Sequence, residues 1–454
     1  MIGLNKIGLN QVQLNRLRLN APFPTCRKMA GGGGSSDGFP QLPGDVTRWH
    51  FGGLTNEMMA AMDDPRIEDA DHKGRFLSFK NFAWKEGSGI SDIYPGALVF
   101  DGVDDWAGCD NLPLLPKEKG YSIIALRNWI TRYDATQYKR PLISNLDTND
   151  EGAFLIEYRK DENVNDVTGS YNSFTDVYID DNNPITWQTS SSYNGQIIKK
   201  GTSKSSNKLC ICKTYFGQLS KYANAAIWEI VILDHDATEE ELTKIKDYFV
   251  KTYPWLFPDQ AWTVVGKTNE DEDRATIANI TGNGNDLVCL NLGFIEGSGY
   301  NEEGEYAGYL VTDGVDDKIT SSTFEMGNDW TVIGDWELIN TGKKDNAGIV
   351  KFDSIVIYNY NPILINIKNG RNNLIPDQNT VNAICSDGRI YSKDWKESIY
   401  NEETESTSKN LLTIGYSGNS YTKIAFKNLA IYPTVLSKED CIKAYNYLQT
   451  LKAK

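Results

Sequence analysis

Asp101, Asp104, Asp105 and Asp110 fall within one short stretch, and Asp313, Asp316 and Asp317 repeat the first three in a second copy of Asp-Gly-Val-Asp-Asp. Carboxylates crowded into one loop have two chemical uses. They offer oxygens to Ca²⁺, which takes about six to eight, or the Asp-Gly pair sets a hairpin turn, with Gly102 and Gly314 at positive φ. The residues leave both open. The calcium set would be Asp101, Asp104, Asp105, Asp313, Asp316 and Asp317, and no other cofactor is indicated. Stacking is the other chemistry on offer. Tyr171, Trp187 and Tyr193, then Tyr391, Trp395 and Tyr400, lie in stretches rich in Asn, Ser and Asp. Exposed aromatic rings there would stack on sugar rings; ordinary partial burial is the alternative for each.

Catalysis finds less support. Glycosidic hydrolysis needs two carboxylates flanking the sugar, whereas the predicted strands carry isolated acids: Glu157, and Glu229 with Asp234 beyond it. His50, His72 and His235 are the three histidines, a thin basis for a Ser-His-Asp arrangement. The expectation is that the chain is not an enzyme. The seven cysteines are Cys26, Cys109, Cys210, Cys212, Cys289, Cys385 and Cys441. Their number is odd and no C-x-x-C pair occurs, so free thiols are expected rather than disulfides or a metal site. Cys210 and Cys212 sit in a strand-like run, which would put both on one face.

The elements that must position these groups come in two copies. Besides the pentapeptide, Gly53-Leu54-Thr55-Asn56-Glu57 returns as Gly266-Lys267-Thr268-Asn269-Glu270, and Glu86-Gly87-Ser88-Gly89 as Glu296-Gly297-Ser298-Gly299. Trp49, Leu77 and Asn81 match Trp262, Leu287 and Asn291. The matches keep their order, which marks a tandem repeat. Each copy ends in an apolar run followed by a capped helix: Ile227–Leu233 before Thr238, and Ile424–Ile431 before Ser437. Glu241 and Asp440 stand at the capping-box position.

Predicted strands in the first copy are Ala97–Phe100, Ser122–Ile130, Ala153–Tyr158, Phe174–Ile179, Lys208–Phe216 and Ala225–Leu233. Those in the second are Tyr309–Thr312, Trp330–Leu338, Ile355–Tyr358, Ile363–Ile367, Leu411–Ile414 and Lys423–Ile431. Many short strands with one closing helix per copy mean an all-β chain of two tandem jelly-roll sandwiches. No apolar run is long enough to cross a bilayer as a helix.

An N-terminal segment differs from both copies. Ile2, Leu4, Ile7, Leu9, Val12, Leu14, Leu17 and Leu19 recur in a five-residue unit that ends in Asn. Two alternating apolar residues followed by Asn read as a short strand and a turn. So small a segment cannot bury both rows alone. Residues 1–36 hold Lys6, Arg16, Arg18, Arg27 and Lys28 and no acid, although the whole chain carries −15. A basic arm on an acidic body predicts docking on a partner surface and no role for nucleic acid as main partner, and the arm's short strands, which need partners, predict self-association as a dimer or trimer. The expected organisation is an arm at 1–30, a Gly/Ser tether at 31–42, one sandwich at 43–256 and another at 257–454, with Pro254–Pro258 at the boundary.

Phe100-Asp101-Gly102-Val103-Asp104-Asp105-Trp106, with the closing strand and the helix from Thr238, resembles laminin-G-like, concanavalin A-like lectin domains. Thr312–Lys318 and Leu429–Leu448 carry the same landmarks, though Thr312 and Lys318 replace the family's aromatics. The resemblance implies a concanavalin A-like fold in both copies. Domains of this kind occur in secreted adhesins, in carbohydrate-binding modules and in virion proteins of phages of gut Bacteroidota. The arm, the tether and the lack of an export-signal pattern resemble the last setting, a head fibre of a crAss-like phage. Made in host cytoplasm, it would be fixed to a capsid or other virion protein by the arm, and would hold host polysaccharide weakly at the particle surface. A secreted carbohydrate-binding module and a polysaccharide depolymerase are the other readings.

Overall fold

The computed structural model describes residues 38–453, apart from 116, 132–138, 148–151, 160–167, 171–174, 179–182, 191, 194–195, 198–204, 218–220, 340–347, 353–354, 359–362, 368–370, 376–380, 400–409 and 418–419. The arm residues Ile2, Leu4, Ile7, Leu9, Val12, Leu14, Arg16, Leu17, Arg18 and Leu19 lie outside the described residues, as do Tyr171 and Tyr400. Leu42–Lys454 is one compact unit.

The unit is all-β, with four eight-stranded sheets, two to a copy. In the first copy the long closing strand Asn224–Leu233 lies at the centre of one sheet. Ser122–Thr131 runs antiparallel along one edge of it. The opposite edge is shared by two shorter strands, Leu98–Asp101 at its start and Val46–His50 at its end. The second copy repeats the plan. Ile424–Tyr432 has Thr331–Leu338 on one edge, while Tyr309–Val311 and Gln260–Thr263 share the other.

The facing sheets differ more. The first copy contains a parallel pair, Thr175–Tyr178 with Phe154–Arg159. The second copy runs Gly348–Phe352, Ile355–Tyr358, Ile363–Ile367 and Arg371–Ile375 as an antiparallel meander.

Period-two patterning builds the core. Along Thr331–Leu338, Val332, Trp336 and Leu338 join the apolar cluster that also holds Trp262, Leu310, Phe426, Leu429 and Ile431. Ile333 and Asp335 point the other way, toward the closing helix. That helix, Lys438–Leu448, begins at Ser437, whose hydroxyl accepts the Asp440 N–H at 3.1 Å. Its counterpart Glu239–Thr252 carries a full capping box between Thr238 and Glu241, so two of its first orphan N–H groups are satisfied locally.

The closing strands share one irregularity. Trp228 is skipped in the register between Ile227 and Glu229, and Lys427 is skipped between Phe426 and Asn428. A bulge re-aims a side chain, and Trp228 shows the use. Its Nε1–H donates to the Pro95 carbonyl at 2.9 Å, and its ring meets Tyr447 of the second copy's helix edge-on at 6.2 Å. Tyr94 also hydrogen-bonds Thr450 across this junction. The linking turn Pro254–Leu256 is a short 3₁₀ helix that buries Trp255 and Leu256.

Most predicted strands are present within a residue or two. One is not. Lys208–Phe216 is reduced to Leu209–Ile211, because Cys212 adopts φ = +58° and turns the chain. The inference that Cys210 and Cys212 share a strand face falls with it. The structure also adds the short helix Asn56–Ala60, capped by Thr55, and the opening strands Val46–His50 and Gln260–Thr263.

Candidate functional sites on the turns and outer sheet faces

The two Asp-rich turns are built alike. Asp101 Oδ1 accepts the N–H groups of Val103, Asp104 and Asp105 at 2.7, 3.2 and 3.3 Å. Asp313 Oδ1 accepts those of Val315, Asp316 and Asp317 at 2.7, 3.3 and 3.4 Å. Gly102 and Gly314 lie at φ = +76° and +78°, and a Cβ on either would crowd Asn224 or Lys423. Carboxylate oxygens of each triad lie within 4.8 Å of one another. One oxygen of each is already saturated by three N–H donors, which leaves few of the six to eight ligands that Ca²⁺ takes. The geometry is that of a self-bracing turn. Asp110 stands apart; its carbonyl accepts the side chains of Asn207 and Lys208.

The last carboxylate of each turn is fully buried. Asp105 Oδ2 accepts the Asp101 N–H at 3.1 Å, and Asp317 Oδ2 accepts the Asp313 N–H at 2.8 Å and the Ser298 hydroxyl at 2.7 Å. Ser88 hydrogen-bonds Asp105 in the same way. In both residues Oδ1 has no hydrogen-bond partner. Burial pushes the Asp105 carboxyl up to about 6 and raises that of Asp317, because an ion stripped of water favours its neutral form.

The aromatic candidates fare differently from one another. Paired residues on neighbouring strands share a face, so Arg48, Val231, Ile124 and Trp187 form one row across the first copy. Arg48 donates to the Tyr248 hydroxyl of the closing helix at 3.0 Å, which identifies this as the outer, helix-bearing face. Trp187 is half-buried there, in a strand rather than a loop. It lines a cleft of about 820 Å³ between the two sandwiches. Leu242 and Lys246 of the closing helix, Phe257 just past the linking turn, Asn283 of the second copy and Tyr447 of the second helix are among the residues of its walls.

In the second copy the matching row is Ala261, Ala430, Ile333, Ala383 and Tyr391. Ala383 takes the place of Trp187. The aromatic surface moves one strand outward. Trp395 lies 6.3 Å from the Tyr391 ring and 5.7 Å, edge-on, from Tyr445 of the helix. Trp395 holds φ = +59°, a conformation that costs a bulky residue energy unless its surroundings enforce it. Tyr391 is a correction. It was expected at the surface, but it is fully buried, and its hydroxyl accepts from Arg389 at 3.1 Å. Tyr193 lies in the short strand Ser192–Tyr193, and only its backbone is described.

Beside Trp395 is a group that patterning did not reveal. Tyr309 donates to Asp335 Oδ1 at 3.0 Å, Tyr445 also bonds Asp335, and Lys427 stands 4.0 Å from it with its ammonium over the Tyr309 ring. Lys427 is the bulged residue, so no regular alternation could have placed it.

The single acids noted in the sequence have structural neighbours. Glu229 is fully buried and accepts from Arg48 at 3.0 Å and from Tyr253 at 2.8 Å. Asp234 accepts the Asp45 N–H at 2.8 Å. Glu157 is buried within the second sheet of the first copy.

No protein-family model and no curated protein matches the chain. Among solved structures, Trypanosoma rangeli sialidase is similar at 8% identity and a TM-score of 0.31, covering 85% of this chain and 68% of that one. The binding domain of Paraclostridial Mosquitocidal Protein 1 shows 12% identity and a TM-score of 0.27 over 41% of this chain and 51% of that one. A structure titled for the dependence of botulinum neurotoxin type C cell entry on two ganglioside molecules shows 11% identity and a TM-score of 0.28, covering 81% and 95%. The expectation that the chain is not an enzyme is corrected by this finding: sialidases, which are enzymes, stand among the similar structures.

Proposed function

We propose that this chain is a surface-displayed glycan-binding protein whose sugar seat is the cleft between its sandwiches. The observation that carries the reading is the cleft itself. Half-buried Trp187 offers a ring face, and Asn183, Thr243, Lys246 and Asn283 on the surrounding walls offer hydrogen-bonding groups. An apolar platform with a few convergent polar groups is the composition of a small-ligand site, and a sugar ring presents both an apolar face and hydroxyls. Trp395 beside Tyr445 would supply a weaker second platform on the same face of the other copy.

Display is the second half of the proposal. The apolar, basic arm fixes the body to an acidic partner, a capsid or other virion protein, as a dimer or trimer, with the sandwiches outward at the particle surface. Many copies would raise avidity without a tight single site. The support is the arm's repeat and its excess of cations over acids.

A glycan array with the full chain, followed by calorimetry on the best hit, tests the first half. Trp187→Ala is expected to weaken binding by about 2 kcal/mol, roughly thirty-fold. A chain that binds no glycan, or binds one unchanged without Trp187, removes the cleft reading. Deleting residues 1–30 tests the second half. The body should remain soluble and fail to enter particles, whereas undiminished incorporation would count against the arm as anchor. Particle incorporation also separates this reading from a secreted adhesin built on the same cleft.

A further inference from the structure

Two buried cysteines meet beneath the second closing helix. Cys385 ends the strand Val381–Cys385, directly opposite Thr331, and Cys441 lies early in the helix Lys438–Leu448. Both are fully buried. The Thr331 hydroxyl, 3.7 Å from Cys385 Sγ, also accepts the Leu436 N–H at 2.9 Å. The Leu436 carbonyl is in turn 4.0 Å from Cys441 Sγ. The thiols hydrogen-bond each other, which holds Cys385 below its ordinary range and pushes Cys441 up.

The first copy supplies the control. Ser122 makes the clasp that Thr331 makes: its hydroxyl donates to the His235 carbonyl at 2.8 Å and accepts the Ala237 N–H at 2.7 Å. Its cross-strand partner is Thr189, and Leu242 occupies the helical position of Cys441. One fold packs the position with a hydroxyl and an aliphatic group. The thiol pair is therefore not a requirement of the architecture.

We infer that Cys385 and Cys441 are a dithiol that closes to a disulfide under a peroxide oxidant and staples the closing helix to its sheet. Once deprotonated, Cys385 attacks one peroxide oxygen; the O–O bond breaks, the departing hydroxide takes up a proton and leaves as water, and Cys385 becomes a sulfenic acid. The Cys441 sulfur then attacks the Cys385 sulfur and displaces the hydroxyl group as a second water. Two thiols and one hydrogen peroxide give one disulfide and two waters. Because both sulfurs are buried, oxidation waits on a local opening of the first turns of the helix. The same helix sends Tyr447 to the inter-sandwich cleft and to the Trp228 ring. The staple would therefore fix one wall of that cleft, but it does not depend on what the cleft binds.

The test treats the full chain with hydrogen peroxide, blocks remaining thiols, and maps peptides without reduction. The expected product is a cross-linked peptide pair holding Cys385 and Cys441, with a melting temperature higher by about 5 °C or more that dithiothreitol reverses. Cys385→Ser and Cys441→Ser should each lose both signals, while Cys289→Ser keeps them. Recovery of both cysteines as thiols, as separate sulfinic or sulfonic acids, or in disulfides with other cysteines would overturn the inference. So would a cross-link that forms without any change in melting temperature.

Discussion

Asp105 shows how one residue's setting becomes a property of the whole chain. Its carboxyl titrates at about 6 when folded, against an ordinary value of 3.8. The folded state therefore holds a proton that the unfolded state has released across this interval. By linkage, the group's contribution to stability is complete below the unfolded value and is lost as pH rises through the folded one. Asp317 adds a contribution of the same sign. We expect Asp105→Asn, which keeps an acceptor for the Asp101 N–H and carries no charge, to flatten the decline in melting temperature between about pH 4 and pH 6. Parallel profiles for the two proteins would show that burial of Asp105 is not felt as a proton equilibrium. The carboxylate cluster was legible in the sequence. The turn, with Gly102 and Gly314 at positive φ, was one of its two readings; the bracing was not legible, because it depends on which N–H groups the chain folds back onto Asp101 and Asp313.

At the scale of elements, the closing helices were legible almost to the residue. A capping box is a local device: Thr238 and Glu241 satisfy each other's neighbourhood whatever the rest of the chain does. Thr238→Ala should destabilise the protein by about 1 kcal/mol, since one orphan N–H of the helix loses its partner. Thr238→Ser should cost a few tenths at most by the same reasoning, and thermal melts of the two variants give the comparison. Equal losses would mean the threonine methyl, not the hydroxyl, matters. Long strands were legible too, since period-two patterning survives wherever one face meets the core. The short ones were missed or overextended where a single dihedral intervened. Cys212 ends a strand by turning left-handed, and nothing in its residue type announces that. The bulges at Trp228 and Lys427 belong to the same class, because a skipped pairing depends on both strands at once.

At the scale of the whole molecule, the two copies are joined by more than their linking turn. Trp228 is only 1% exposed, although it projects from a bulge on an outer face. The second copy's helix provides part of its cover through Tyr447. A chain ending after Phe257 would uncover Trp228 together with the apolar walls of the cleft. We expect that fragment to fold, to bind a hydrophobic dye more strongly than the full chain, and to show red-shifted tryptophan emission. Dye binding no greater than that of the full chain would mean that the sandwiches do not rely on each other for cover. Trp228→Ala in the full chain should cost about 3 kcal/mol, mostly from the cavity left between the copies.

The residues alone determined the duplication, the all-β class, the closing strands and their capped helices. These rest on interactions between near neighbours in sequence, or on a periodicity that any half-buried strand must show. Tertiary structure alone decided which aromatic rings reach the surface. Tyr391 and Trp395 sit in similar polar stretches, yet one is fully buried within the sheet's outer row and the other is half-buried beside the helix. It also decided that Trp187 faces a cleft walled by both copies, and that Cys385 and Cys441 meet. Each of these joins residues far apart in the chain, through strand register and through the way a helix lies on a sheet, and no local pattern encodes either.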